Sequence, residues 1–233
     1  MPGVFSSAPG GLDFEGMAAF LLWTGVALDL GVLIGLAVRD RWRDAWLLPV
    51  VVLSALLSTA TVGLCSACNT WNFWLLNEFA HVALWLLLGV ELSLRLCPQG
   101  TVARRHARVW IALVLLVVGV LAFTAPSGID ALPRLAATII FLYAGLTLVM
   151  AAHELELQSA LHEALLYGFP PYLLVYVATW GYTRDDTTWA GILNPLAFNL
   201  MMLNLLRVVW RRDPAPRPRL PWLTRLGRRR GWL

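Results

Sequence analysis

Glu78 and His81 stand three residues apart inside an apolar run, Trp71 to Leu96, so on a helix they share one face. A carboxylate beside an imidazole can line a polar pocket between helices or supply two metal ligands. A di-iron site of the Glu-x-x-His kind needs a second such pair and two further carboxylates. The chain has no second Glu-x-x-His, so the pocket is the expectation. Asn77, His81 and Trp85 continue the stripe at steps of four.

Other polar residues interrupt apolar runs in the same way. Asp29 sits in the middle of Val26 to Gly31. A charge at mid-membrane costs about 2.5–3.5 kcal/mol on insertion scales, so Asp29 is a candidate proton or ion site, or an acid hydrogen-bonded between helices. Asn194, Asn199 and Asn204 carry amides that can bridge helices. Tyr172, Tyr176 and Trp180 form an aromatic face at steps of four. They follow Pro170-Pro171, where missing backbone donors are expected to break the helix beside a cavity. Cys65 and Cys68 form a C-x-x-C that reads as a structural disulfide, with a redox pair as the alternative. His153 and His162 flank an acidic link and could converge on haem or a divalent cation. With His81 they are the metal-ligand candidates, though a solvated acidic loop is the simpler expectation for the link. No catalytic residue set emerges, and the reading is non-enzymatic.

Composition says what must position these residues. Of 233 residues, 59% are hydrophobic and 14% charged, against about 25% charged in soluble domains. The eighteen basic residues are all arginine. Without lysine there is no covalent retinal Schiff base and no P-loop nucleotide site. Runs long enough to cross a bilayer, about 20 residues each, begin at Gly16, Ala45, Trp71, Val109, Leu132, Ala160 and Trp189. They end at Val38, Leu64, Leu96, Phe123, Ala152, Gly181 and Trp210. The expected fold is an all-α bundle of seven transmembrane helices over 16–210, with no soluble domain. A short external tail is expected at 1–15, which lacks the basic residues of a signal peptide. A Pro- and Arg-rich cytoplasmic tail is expected at 211–233. The stripe Ala27, Gly31, Gly35 predicts close helix packing within the bundle.

Sixteen of the eighteen arginines fall on one side of these spans, and Arg134 and Arg184 on the other. The positive-inside rule then puts the N-terminus outside and the C-terminus in the cytoplasm. The basic balance points to anionic lipid at the arginine-rich tail rather than to nucleic acid.

Two stretches, Trp71-Asn72-Phe73-Trp74-Leu75-Leu76-Asn77-Glu78 running on to Glu91-Leu92-Ser93-Leu94-Arg95, and Leu193-Asn194-Pro195-Leu196-Ala197, resemble a group of uncharacterised seven-span bacterial integral membrane proteins. The resemblance implies a multi-pass protein of the bacterial inner membrane and no activity. The expected function is a sensor-like or accessory module that binds a ligand, or a separate protein partner, in an outward-facing pocket. Its residues are Asp29, Asn77, Glu78, His81, Tyr172, Tyr176, Asn194 and Asn199. The alternatives are a haem- or proton-handling subunit of a membrane redox complex, and a small transporter using Asp29.

Overall fold

The computed structural model describes residues 14–65, 70–124, 128–155, 157, 159–183 and 188–211. Over these residues the chain is all helical: α1 (Phe14–Val38), α2 (Leu48–Leu64), α3 (Trp71–Leu96), α4 (Val102–Thr124), α5 (Gly128–Ala152), α6 (Ala160–Thr183) and α7 (Thr188–Trp210). Three starts carry the side-chain caps that Ser and Thr favour. Thr70 accepts from the Phe73 amide at 3.3 Å, Thr101 from Arg104 at 3.2 Å, and Ser159 from His162 at 3.3 Å.

Five helices are long and apolar enough to cross a membrane: α1, α3, α4, α5 and α7. Helix α2 is apolar but has only 17 residues. Helix α6 has 24, with four of the chain's five tyrosines and two prolines diluting its hydropathy. The perimeter is apolar: on α4, Leu116, Val120 and Phe123 are exposed, Phe123 to 93%. Exposed apolar surface on this scale fits lipid contact and marks a membrane protein.

Two boundaries differ from expectation. Helix α4 begins at Val102, taking in Arg104, Arg105 and Arg108, because Thr101 caps it there. Helix α6 runs unbroken through Pro170 and Pro171, which corrects the expected break. Packing supplies the reason: Phe169 and Leu173 around the prolines are fully buried, so neighbouring helices hold the segment helical despite the missing donors.

Helices α1, α2, α3, α5, α6 and α7 close a ring in which each packs on its neighbours, and α4 lies outside against α3 and α5. Small residues set the closest approaches. On α1, a Cβ at Gly35 would stand 2.7 Å from Val209 and Trp210 of α7, so the small-residue stripe packs within the bundle. On α5, the Trp110 indole of α4 occupies the space of a Gly145 Cβ and donates to the Phe141 carbonyl at 3.2 Å.

The arginine-bearing end is tied by polar contacts. Glu91 of α3 accepts from the Trp46 and Leu47 amides at 2.7 and 2.8 Å, the amides that lead into α2. Arg95, one turn on, pairs with Glu91 at 2.7 Å, donates to the Arg43 carbonyl and lies over the Trp46 ring. Arg39 and Arg41 donate to the Trp210 and Arg211 carbonyls at the end of α7, where cations suit the helix dipole.

Two stability predictions follow from these contacts. Glu91→Gln keeps one acceptor and loses the charge, so the bundle should lose about 1.5–3 kcal/mol, read as a lower melting temperature in detergent. Gly145→Leu must displace Trp110 and should cost about 1–3 kcal/mol by overpacking. Gly119→Ala, where a Cβ meets nothing within 4 Å, should melt no lower than the parent. Equal melting of the Gly145 and Gly119 variants would contradict the packing described.

Candidate functional site

Inside the ring lies a cavity of about 390 Å³, within the range of small-molecule sites. Helices α1, α2, α3, α6 and α7 line it. Of the eight pocket residues read from the sequence, seven line this one space: Asn77, Glu78, His81, Tyr172, Tyr176, Asn194 and Asn199. Asp29 does not. It lies one turn beyond Gly25 on the α1 face that Leu21 and Gly25 present to the cavity. It is fully buried, and neither carboxylate oxygen has a hydrogen-bond partner. The expected interhelical hydrogen bond to Asp29 is therefore not formed.

One wall is aromatic. Trp85, 4% exposed, meets Tyr172 at 5.5 Å, Tyr176 at 5.6 Å and Phe169 at 6.1 Å between ring centroids, each edge to face. His81 stacks on Trp85 at 6.0 Å. Trp180 lies between Trp74 and Tyr176, 5.4 Å from each. Such contacts are worth about 0.5–1.5 kcal/mol each beyond area burial, so this wall is rigid.

The polar groups divide into paired and unpaired. Tyr176 donates its hydroxyl to Glu78 Oε2 at 2.5 Å, joining α6 to α3. Asn77 Nδ2 donates to Ser58 Oγ at 2.6 Å, joining α3 to α2. Asn199 Nδ2 donates to the Leu21 carbonyl at 2.8 Å, joining α7 to α1. The remaining groups lack such partners: His81 Nε2 and Asn194 Oδ1 are buried and unbonded.

The other histidines are elsewhere. His153 of the α5–α6 link faces His106 of α4, Nε2 to Nδ1, at 3.0 Å. His162 Nε2 contacts the Asp44 carbonyl at 2.9 Å. His153 and His162 thus do not converge as a ligand pair, because each is held by a different partner near the arginine-bearing end. Among the described residues no three His, Cys, Asp or Glu side chains cluster as metal ligands would. His106 was missed from sequence because it reads as part of the basic run Arg104 to Arg108. The signal was topological: α4 and α5 form an antiparallel hairpin, so the start of one meets the end of the other.

Cys65 is disulfide-bonded, and Cys68 lies outside the described residues. No protein-family model matches the chain, and no curated protein or solved structure matches it either.

Cys97, at the end of α3, is a free thiol and 1% exposed. Burial pushes its pKa up, against the opposing pull of the Arg104 charge. A raised pKa leaves less thiolate at a given pH, and the thiolate is the nucleophile. In the folded protein at about pH 8 a maleimide should therefore leave Cys97 unmodified while denatured chain is labelled fully, as read by mass spectrometry. Equally fast labelling of the two forms would contradict the burial.

Proposed function

We propose that the chain is a non-enzymatic, multi-pass protein of a bacterial inner membrane that binds a small ligand in the cavity between α1, α2, α3, α6 and α7. The observation that carries this reading is the gathering of Glu78, His81, Tyr172, Tyr176 and Asn194 on one cavity, with buried polar atoms on His81 and Asn194 left unbonded. A buried unsatisfied polar group costs about 1–3 kcal/mol. A ligand that bonds to these atoms removes that cost when it binds.

The arginine distribution supports an N-out, C-in orientation over seven spans, with α2 and α6 crossing alongside the five longer apolar helices. The short α2 and the polar α6 are accommodated because both border the cavity rather than depending on lipid alone. In that orientation the cavity, which reaches Ala18, Phe73 and Gly191 near the ends remote from the arginines, faces outward. The arginine-rich segment then meets the anionic cytoplasmic leaflet, where each basic residue near the surface adds about 1 kcal/mol of attraction. A signal from the pocket would pass to a separate protein partner.

The test is native mass spectrometry of the intact protein with a mixture of small aromatic acids, alcohols and amines. The wild type should retain one molecule of at least one class. The Glu78→Ala/His81→Ala double variant should retain none while keeping Cys97 protected from maleimide. Retention unchanged in the double variant, or no retention by the wild type, would sink the pocket reading.

A further inference from the structure

The polar groups around the cavity include three engaged donors and acceptors that have no partner. Three donors among the lining residues are already engaged: Asn77 Nδ2 with Ser58, Asn199 Nδ2 with Leu21, and the Tyr176 hydroxyl with Glu78. Acceptors are among the groups left toward the space. Asn194 Oδ1 is a carbonyl oxygen without a partner. Glu78 has a second carboxylate oxygen beyond the one that Tyr176 holds. The buried His81 Nε2 has no partner either, and it accepts when the ring proton sits on Nδ1.

The charges point the same way. Among the described residues, the cavity lining holds one carboxylate, Glu78, and no arginine. A second carboxylate, Asp29, is buried one turn beyond the lining residue Gly25 with both oxygens unpartnered. The aromatic wall adds the negative faces of its rings, which attract cations.

From this set of groups we infer that the ligand is an organic ammonium ion: a protonated primary or secondary amine carrying an apolar, aromatic-sized body. This rests on the pocket reading above. The body fills the space beside Trp85, Tyr172 and Phe198. The ammonium N–H groups supply what Glu78, His81 and Asn194 lack, while its charge offsets the buried carboxylate. A quaternary ammonium has the charge but no N–H, and a neutral alcohol has a donor but no charge. Each meets only half of the arrangement.

Three probes of one shape separate these terms: phenethylamine, phenethyltrimethylammonium and phenethyl alcohol. Each is titrated by calorimetry into the purified full-length protein at a pH near neutrality, where the amine is charged. The amine is expected to bind tightest, with both analogues weaker by roughly tenfold or more. Glu78→Gln, which keeps the shape and removes the charge, should bring the amine down to the level of the alcohol. Asn194→Ala, remote from the Glu78–Tyr176 bond, should weaken the amine more than the quaternary ion. Cys97 protection reports folding in each variant. Alcohol binding as tight as that of the amine, and insensitive to Glu78→Gln, would overturn the ammonium assignment but leave the pocket standing. An absence of amine binding also overturns it, and the pocket then stands or falls on the mass-spectrometric retention of another class.

Discussion

Glu91 puts both of its carboxylate oxygens on backbone amides of another helix. The rest of the bundle depends on that attachment. The two amides lead into α2, the shortest of the seven helices. Amides ahead of a helix carry its unsatisfied donors and the positive end of its dipole, so a carboxylate there is bonded and electrostatically favoured at once. Arg95 holds the carboxylate from the other side, with its guanidinium on the Trp46 ring. Helix α2 is fixed at this end, tied again to α3 through Ser58 and Asn77, and faces an open space inside the ring. That space is the cavity.

A lipid surround explains what fills that space. Polar side chains on helices this apolar have two stable positions: the ends, where water and headgroups solvate them, and the interior, where protein does. The arginines take the ends. Glu78, His81, Asn77, Asn194 and Asn199 take the interior, where the bonds of Asn77 to Ser58, Tyr176 to Glu78 and Asn199 to the Leu21 carbonyl stitch α3 to α2 and α6, and α7 to α1. Interhelical bonds of this kind average about 0.6 kcal/mol, so they fix register more than they supply stability. Stability comes instead from the dry core shared by α3, α5 and α6, where Tyr143, Phe169, Leu88 and Leu132 are sealed. The two functions are therefore separated in space, and polar residues can remain unbonded on one side of α3 while the other side is packed like a soluble core.

Much of this was legible from residue order alone. Apolar run length placed the helices, and the three-residue step from Glu78 to His81 placed both on one face. Glycines four apart on α1 announced a close neighbour. The misses share a cause: each required knowing which helices touch. Glu91 read as one more acidic residue near a helix end, because nothing in the sequence brings residues 46 and 47 beside it. His153 was read with His162, whereas packing of α4 on α5 sets it against His106. The expected break at Pro170 failed for a related reason. Local chemistry weakens the helix there, but burial of Phe169 and Leu173 on either side outweighs two missing hydrogen bonds. Asp29 was found as a charge in an apolar helix, whereas its lack of a partner is a property of the assembled bundle.

That lack of a partner ties α1 to the rest of the site. Helix α1 meets α7 through glycines, with Gly31 and Gly35 against Leu206, Val209 and Trp210, and Trp210 donates to the Gly31 carbonyl at 3.2 Å. Side chains this close leave little freedom to slide, so α1 and α7 form a single wall clamped at its base by Arg39 and Arg41. Asp29 belongs to that wall, while Glu78 belongs to the opposite one, on α3. The cavity thus has an acidic group associated with each of two separately anchored walls, and no basic side chain among its described lining residues. Like charges of this kind repel when both are ionised, and the low dielectric between them strengthens the repulsion. A cation in the cavity would offset that repulsion. Between these walls stands α2, held to α3 at one end by Glu91 and beyond that by the bond between Ser58 and Asn77.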